Sequence, residues 1–112
     1  MLSPQFDTQK LNDASGGAIA MLRVLANEDR LLLLCQLAAG EACVSELESP
    51  LAIRQPTLSQ QLRVLLAEAI VSTRREGKKI YHQISAPRAR SVLDTLYSFY
   101  CELPQDSLQP AR

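Results

Sequence analysis

The stretch 55–66, QPTLSQQLRVLL, constrains the fold of this chain more than any other. Pro56 suits the first turn of a helix, where the backbone N–H that proline lacks would have no partner. Apolar residues then recur with a helical period along one side: Leu58, Leu62, Leu65, Leu66 and Ala69. The sequence therefore predicts a helix that begins near Pro56 and packs one side against a core.

The opposite side of this helix carries short polar side chains and a guanidinium group. The residues are Thr57, Ser59, Gln60 and Arg63, with Gln55 at the start. Hydroxyl, amide and guanidinium groups hydrogen-bond to base edges and phosphates in DNA, whereas an ordinary solvated helix face mixes Glu and Lys. We interpret the stretch as a DNA recognition helix. A surface helix that is merely rich in Ser and Gln is the alternative.

The segments on either side of this helix predict a winged helix. Residues 44–53 form a short amphipathic segment that Pro50 interrupts or ends, and residues 71–85 alternate like a β-hairpin with a turn at Glu76 and Gly77. Helix, turn, helix and hairpin is the element order of a winged helix-turn-helix. The hairpin is basic, which suits phosphate or minor-groove contact. Its basic residues are Arg74, Arg75, Lys78 and Lys79.

Charge is distributed unevenly along the chain. The 12 Lys and Arg residues balance the 12 Asp and Glu residues, so the formal net charge is zero. Residues 50–93, however, hold eight basic and two acidic side chains, which gives +6 there and −6 elsewhere. The positive part contains the predicted DNA-binding elements. This favours a DNA-binding protein over a winged helix that serves only as a structural or protein-interaction module.

A central helix is predicted after Asn27, which is a good N-cap. Glu28 and Asp29 suit its first turn. Apolar residues at 31–34, Cys35 and Leu37 fall on every side of it, as expected of a buried helix, and Gly40 ends it.

Apolar helices at the two ends of the chain predict a dimer. One covers about 11–25, although Gly16 and Gly17 each destabilise a helix by roughly 1 kcal/mol relative to Ala. The other starts with Pro87 in its first turn and continues until Pro104. So small a domain cannot cover both apolar faces, so we expect them to pair with a second copy.

Length and composition indicate one domain. We expect a flexible arm at 1–10, the winged-helix DNA-binding and dimerisation domain at 11–103, and a flexible tail at 104–112. No apolar run approaches the ~20 residues of a membrane span, and no signal peptide is recognisable. Three cysteines without export signals suggest a reducing cytoplasm. No nucleophile, base and acid form a catalytic set, so no catalytic residue is assigned and an enzyme is not expected.

Four stretches carry a resemblance to a known family: LANEDRLLLLCQL at 25–37, GEACVSEL at 40–47, QPTLSQQLRVL at 55–65 and TRREGKKIYHQI at 73–84. Together they resemble the ArsR/SmtB family of small dimeric winged-helix repressors, over roughly 11–102. The likeness is greatest to the BigR/SqrR/HlyU-like branch, which senses reactive sulfur or oxidants through two cysteines. It implies a mainly α fold with a β-hairpin wing and, as partners, operator DNA and a second copy. The wing departs from the family pattern by having His82 where Tyr is common.

The resemblance also implies a redox switch made of Cys35, in LLLLCQL, and Cys101, in LYSFYC. Oxidation or persulfide modification of this pair would release DNA, with a reactive sulfur species or an oxidant as inducer. The alternative is that both cysteines are small buried hydrophobic residues. Nothing in the sequence shows which thiol reacts first, and Cys43 is interpreted as a bystander.

A metal- or metalloid-responsive repressor is the alternative function. The family's thiolate site resembles CVCDLC, of which this chain keeps Cys43 alone, and its other site needs a histidine on the last helix. The one histidine, His82, lies in the wing and is interpreted as a packed strand residue. No metal ligand or other cofactor is assigned, although a soft-metal site built from Cys35, Cys43 and Cys101 stays open.

Overall fold

The computed structural model describes residues 6–102; the predicted tail and the first five residues of the predicted arm lie outside them. The fold is mainly α-helical with one antiparallel hairpin, so the predicted winged-helix architecture is confirmed. In chain order the elements are α1 (Thr8–Leu25), α2 (Glu28–Ala38), α3 (Val44–Leu51), α4 (Gln55–Ala67), β1 (Val71–Glu76), β2 (Lys79–Ile84) and α5 (Pro87–Tyr97), which continues as a π-helical turn (Ser98–Glu102). None of the helices described is long and apolar enough to cross a membrane.

Helix α1 begins at Thr8, three residues earlier than the sequence pattern indicated. The reason is Asp7, whose Oδ1 accepts hydrogen bonds from the backbone N–H groups of Gln9 at 2.9 Å and Lys10 at 3.2 Å. A side-chain oxygen at the N-cap satisfies donors that would otherwise lack partners in the first turn. Residues 8–10, which the sequence placed in a flexible arm, are therefore helical.

The core lies where α2, α3 and α4 meet the base of the hairpin and the first half of α5. Its fully buried leucines are Leu33, Leu34, Leu37, Leu47, Leu58 and Leu65. The sequence predicted that α2 is buried on every side, and this is wrong. Leu32 is 43% exposed, and Cys35 is also exposed. The other helices cover one side of α2 and leave the side with these two residues at the surface.

Helix α4 has the predicted position, with Pro56 in its first turn. Its buried side consists of Leu58, Leu62 and Leu65, whereas Leu66 is 39% exposed and Ala69 lies beyond the helix end. Both joints of α4 pass through left-handed alanines, Ala52 before it with φ 55° and Ala69 after it with φ 58°. L-residues seldom adopt this conformation, because Cβ crowds the backbone.

The wing is the hairpin of β1 and β2, whose register pairs Thr73 with His82 and Glu76 with Lys79. Its turn therefore centres on Gly77 and Lys78, one residue later than predicted. Gly77 has φ +64°, a conformation that glycine adopts without strain. Two backbone hydrogen bonds join the wing to the segment before α3: Ala42 N–H donates to His82 O at 3.1 Å, and His82 N–H donates to Ala42 O at 2.8 Å.

Candidate DNA-binding surface and cysteine pair

Helix α4 presents the predicted recognition side chains at the surface. Gln55, Gln60 and Arg63 are exposed, and Thr57 and Ser59 are half-buried. Burial of Leu58 and Leu62 on the other side fixes which residues face out, since α4 packs on α2 and α3. The arrangement places amide, hydroxyl and guanidinium groups together on one exposed helix face, as contact with base edges requires.

Gln61, which the sequence reasoning overlooked, holds α4 in place through Arg30 on α2. Nη1 of Arg30 donates to Oε1 of Gln61 at 2.9 Å. The same guanidinium donates to the backbone carbonyl groups of Val24 at 2.6 Å and Arg23 at 3.2 Å, at the end of α1. A cation at this point also interacts favourably with the negative end of the helix dipole. Arg30 thus connects α1, α2 and the predicted recognition helix.

Arg74 in the wing is already paired with carboxylates. Its Nε donates to the two carboxylate oxygens of Glu41 at 2.9 and 3.0 Å, its Nη2 donates to Glu41 as well, and its Nη1 donates to Glu76 at 2.7 Å. Its guanidinium also stacks on Tyr81, 4.7 Å from the ring centroid. The bonds to Arg74 lower the pKa of the Glu41 carboxyl and so keep it ionised. A DNA phosphate would have to compete with these partners.

The other predicted wing cations are Arg75, Lys78 and Lys79, and all three side chains are exposed. They lie at and beside the turn of the wing. Exposed cations at a hairpin tip can meet phosphates without first losing a strong internal partner.

Cys35 and Cys101 are both exposed free thiols, whereas Cys43 is buried at the N-cap of α3. The alternative that Cys35 and Cys101 are both buried hydrophobic residues is therefore wrong. Partial burial raises the pKa of the Cys35 thiol, and the nearby Cys101 raises it further through charge repulsion. The two cysteines that the family resemblance singled out are thus close enough for their charges to interact.

A cleft of about 460 Å³ adjoins Cys35 between α2 and α5. Leu93, Asp94 and Tyr97 of α5 form one wall, and Ala38 and Ala39 form the other. The small alanines leave room beside the Cys35 sulfur, so a modified thiol can be accommodated there.

The described residues contain no group of three or more His, Cys, Asp or Glu side chains that could hold a metal ion. Cys35, Cys43 and Cys101, from which the sequence left a soft-metal site open, are therefore not grouped in this way among residues 6–102. Cys43 contacts Ser45 instead, with 3.2 Å between Sγ and Oγ.

Helices α1 and α5 expose much apolar surface. Leu11 is 60% exposed, Leu22 is 55% exposed and Phe99 is 51% exposed. A groove of about 650 Å³ runs between the two helices past Met21 and Val92. Isolated apolar side chains at a surface are common, but a continuous groove of this size is typical of an interface.

Comparison with known proteins matches residues 27–73 to the family described as "Bacterial regulatory protein, arsR family". A biofilm growth-associated repressor of Agrobacterium fabrum is 48% identical over 88 residues, which cover 79% of this chain and 74% of that protein. The transcriptional activator HlyU of Vibrio cholerae is 34% identical over 97 residues, 87% of this chain and 90% of HlyU. The crystal structure of the repressor BigR from Xylella fastidiosa superposes with a TM-score of 0.81 at 37% identity, over 85% of this chain and 97% of that one.

Proposed function

The chain belongs to the ArsR family of bacterial regulatory proteins, in the branch that includes BigR and HlyU, and on that premise we propose that it is a homodimeric, redox-controlled repressor. It binds double-stranded operator DNA while Cys35 and Cys101 are reduced, and it releases the DNA when the two sulfurs are linked. The wing and the exposed face of α4 contact the DNA. The apolar surfaces of α1 and α5 support the dimer.

The observation that carries the proposal is that two exposed thiols on different helices are close enough for their charges to interact. Cys35 lies on α2, which supports α4 through Arg30, and Cys101 lies at the end of the last helix, which supplies dimer surface. A link between the two sulfurs therefore joins the element behind the recognition helix to the element that sets the position of the second copy.

A persulfide, RSSH, converts the pair in two steps. The Cys101 thiolate attacks the outer sulfur, which forms Cys101–SSH and releases RSH after protonation. The Cys35 thiolate then attacks the Cys101 sulfur, which forms the disulfide and releases hydrogen sulfide. The sum is two thiols plus RSSH giving one disulfide, RSH and H₂S. We assign the first attack to Cys101, because the raised pKa of the Cys35 thiol lowers the fraction of that group present as the nucleophilic thiolate.

The link acts on both subunits of the dimer. Half-sites on DNA are separated by about one helical turn, so a small change in the spacing of the two recognition helices weakens both contacts together. A coupling free energy of about 1–3 kcal/mol, typical of allosteric proteins, lowers DNA affinity about 5–150-fold.

Mass spectrometry of the protein before and after treatment with a persulfide donor, combined with DNA-binding measurements on both forms, tests the proposal. Cys35→Ser and Cys101→Ser are expected to bind DNA when reduced and to retain it after treatment. Cys43→Ser is the matched control and is expected to release DNA like the parent. If Cys101→Ser still releases DNA and Cys43→Ser does not, the assigned pair is wrong.

A further inference from the structure

His82 on β2 lies where the wing is attached to the segment that leads into α3. Its backbone exchanges two hydrogen bonds with Ala42: Ala42 N–H donates to His82 O at 3.1 Å, and His82 N–H donates to Ala42 O at 2.8 Å. This bridge extends the two-stranded hairpin sideways onto the chain before α3. A change in the state of His82 therefore acts directly on the attachment of the wing.

The imidazole of His82 is buried, and one of its nitrogens has no partner. The residue is 6% exposed, and its Nδ1 has less than 1 Å² of accessible surface and no hydrogen-bond partner among residues 6–102. A protonated imidazole carries an N–H group on both nitrogens. Protonation at this position would bury a positive charge and also leave the Nδ1 donor without an acceptor, and both effects are unfavourable.

Basic side chains around His82 disfavour its charged form further. A cleft of about 500 Å³ that His82 lines contains three cations from α4 and the wing: Arg63, Lys78 and Lys79. On β1, Arg75 lies two residues beyond Thr73, which pairs with His82, and so on the same face of the hairpin. The other titratable residue in the cleft lining is Cys43, whose thiol is buried. A charge on His82 would therefore meet like charges on its open side.

The acidic groups of this region have other partners. The carboxylate of Glu46 accepts a hydrogen bond from Cys43 N–H at 3.0 Å, and the carboxylate of Glu41 pairs with Arg74. Helices α2 and α5 also pack on β2, and their buried residues are apolar: Leu33, Leu34, Leu37, Ala89 and Leu93. Burial accordingly lowers the pKa of the His82 imidazole, and the Ala42 backbone opposes this shift only in part.

We propose that His82 is a pH-sensitive latch that controls the attachment of the wing. While its imidazole is neutral, the wing stays bonded to the segment before α3. When the ring takes up a proton from solvent, it is more stable in water than in its buried site, so the bridge to Ala42 opens. The latch itself does not depend on DNA. Its effect on DNA affinity rests on the function proposed above, in which the wing contacts DNA.

The direction of the pH dependence follows from the lowered pKa of the closed form. The ordinary pKa of histidine is about 6.5, so as the pH falls through that value the open form binds more protons than the closed form. The attachment therefore weakens with falling pH, and it levels off once the pH is below the pKa of the buried ring. At about pH 5.5 the open form is favoured by up to about tenfold relative to its population at about pH 7.5.

NMR measurements on the reduced parent protein test the latch without DNA. His82 is the one histidine of the chain, so its ring signals give its pKa directly, and a value below about 6.5 is expected. Amide protection, corrected for the intrinsic pH dependence of exchange, is expected to fall up to about tenfold at Ala42 and His82 between about pH 7.5 and 5.5. Protection at Leu33 and Leu58 in the core should not change. A ring pKa at or above the ordinary value, or constant protection at Ala42, would overturn the proposal.

The variant His82→Phe retains a planar ring that cannot take up a proton. The Ala42 amide of this variant is expected to keep its protection at the lower pH. Gln83→His in the His82→Phe background is the matched control, because residue 83 is exposed and a histidine there can titrate without being buried. This control is also expected to keep its protection. If it loses protection as the parent does, burial of the ring is not the cause and the latch is refuted.

DNA-binding isotherms at the two pH values test the consequence for DNA. The affinity of the parent is expected to fall further between about pH 7.5 and 5.5 than that of His82→Phe, because a detached wing no longer holds its cations beside α4. Equal pH dependence in the two proteins would overturn the effect of the latch on DNA binding. If the protein does not bind DNA at either pH, the proposed repressor function fails, while the exchange measurements still decide the latch.

Discussion

Nη1 of Arg30 on α2 donates a hydrogen bond of 2.9 Å to Oε1 of Gln61 on α4. Because the same guanidinium also bonds to the carbonyl groups of Val24 and Arg23, one side chain connects the last turn of α1 to α4. Helix α1 supplies apolar surface to the proposed dimer. Arg30 therefore lies on a direct physical path between that surface and the exposed face of α4 that we propose contacts DNA.

Replacing Arg30 with Ala is expected to lower the free energy of unfolding by about 2–3 kcal/mol, since hydrogen bonds that involve charged groups contribute about 1.5–3 kcal/mol each and several are shared here. Urea denaturation followed by circular dichroism measures the change. Arg23→Ala is the matched control, because Arg23 takes part through its backbone carbonyl, and a change within about 0.5 kcal/mol is expected. Equal losses in the two variants would contradict the assignment.

Gln60→Ala and Arg63→Ala are each expected to weaken specific operator binding by about 1–3 kcal/mol, because both side chains lie on the exposed face of α4. Fluorescence anisotropy with operator and scrambled DNA separates specific from general binding. Glu68→Ala, at the helix C-cap, serves as the control. If neither variant changes operator affinity, α4 is not the recognition helix.

Glu41→Gln is expected to raise affinity for DNA of any sequence and to steepen its salt dependence. The carboxylate of Glu41 pairs with Arg74, so its neutralisation makes that guanidinium available to a phosphate. Lys79→Ala removes an exposed wing cation and should have the opposite effect on both quantities. Binding isotherms at several salt concentrations give the slopes. An unchanged slope for Glu41→Gln would mean that Arg74 does not reach DNA.

The thiol of Cys35 is expected to react slowly with iodoacetamide at pH 7 and to gain rate as the pH rises beyond the usual range of a cysteine. Burial is the larger cause of its raised pKa and Cys101 the smaller. In Cys101→Ser the pKa should therefore fall partway, so that Cys35 is alkylated faster at pH 8. Peptide mass spectrometry in a Cys43→Ser background measures the rate at each pH. Identical pH profiles with and without Cys101 would show that the two thiols do not interact.

Local sequence signals predicted the helices and strands well. They could not predict contacts between residues that are distant in the sequence. Pro56 and the spacing of Leu58, Leu62 and Leu65 located α4, because those signals depend on neighbours along one helix. The pairs Arg30–Gln61 and Arg74–Glu41 are separated by 31 and 33 residues, so only the fold brings them together.

The exposure of Cys35 could not be predicted from the sequence either. Residues 31–34 are four consecutive leucines, a pattern with no period that marks which side of α2 faces outward. The sequence also predicted the turn of the wing one residue too early, at Glu76 and Gly77 instead of Gly77 and Lys78. Glu76 looks like a turn residue beside Gly77, yet it pairs with Lys79 in the last rung of the ladder.

The left-handed alanines at the two ends of α4 have an energetic consequence. Glycine would adopt this conformation without strain, whereas alanine occupies it at a cost of about 1–3 kcal/mol at each joint. Such a cost persists only where the surrounding structure offsets it. The positions of α3, α4 and the wing relative to one another are therefore set by the contacts between these elements, and not by the intrinsic preferences of Ala52 and Ala69.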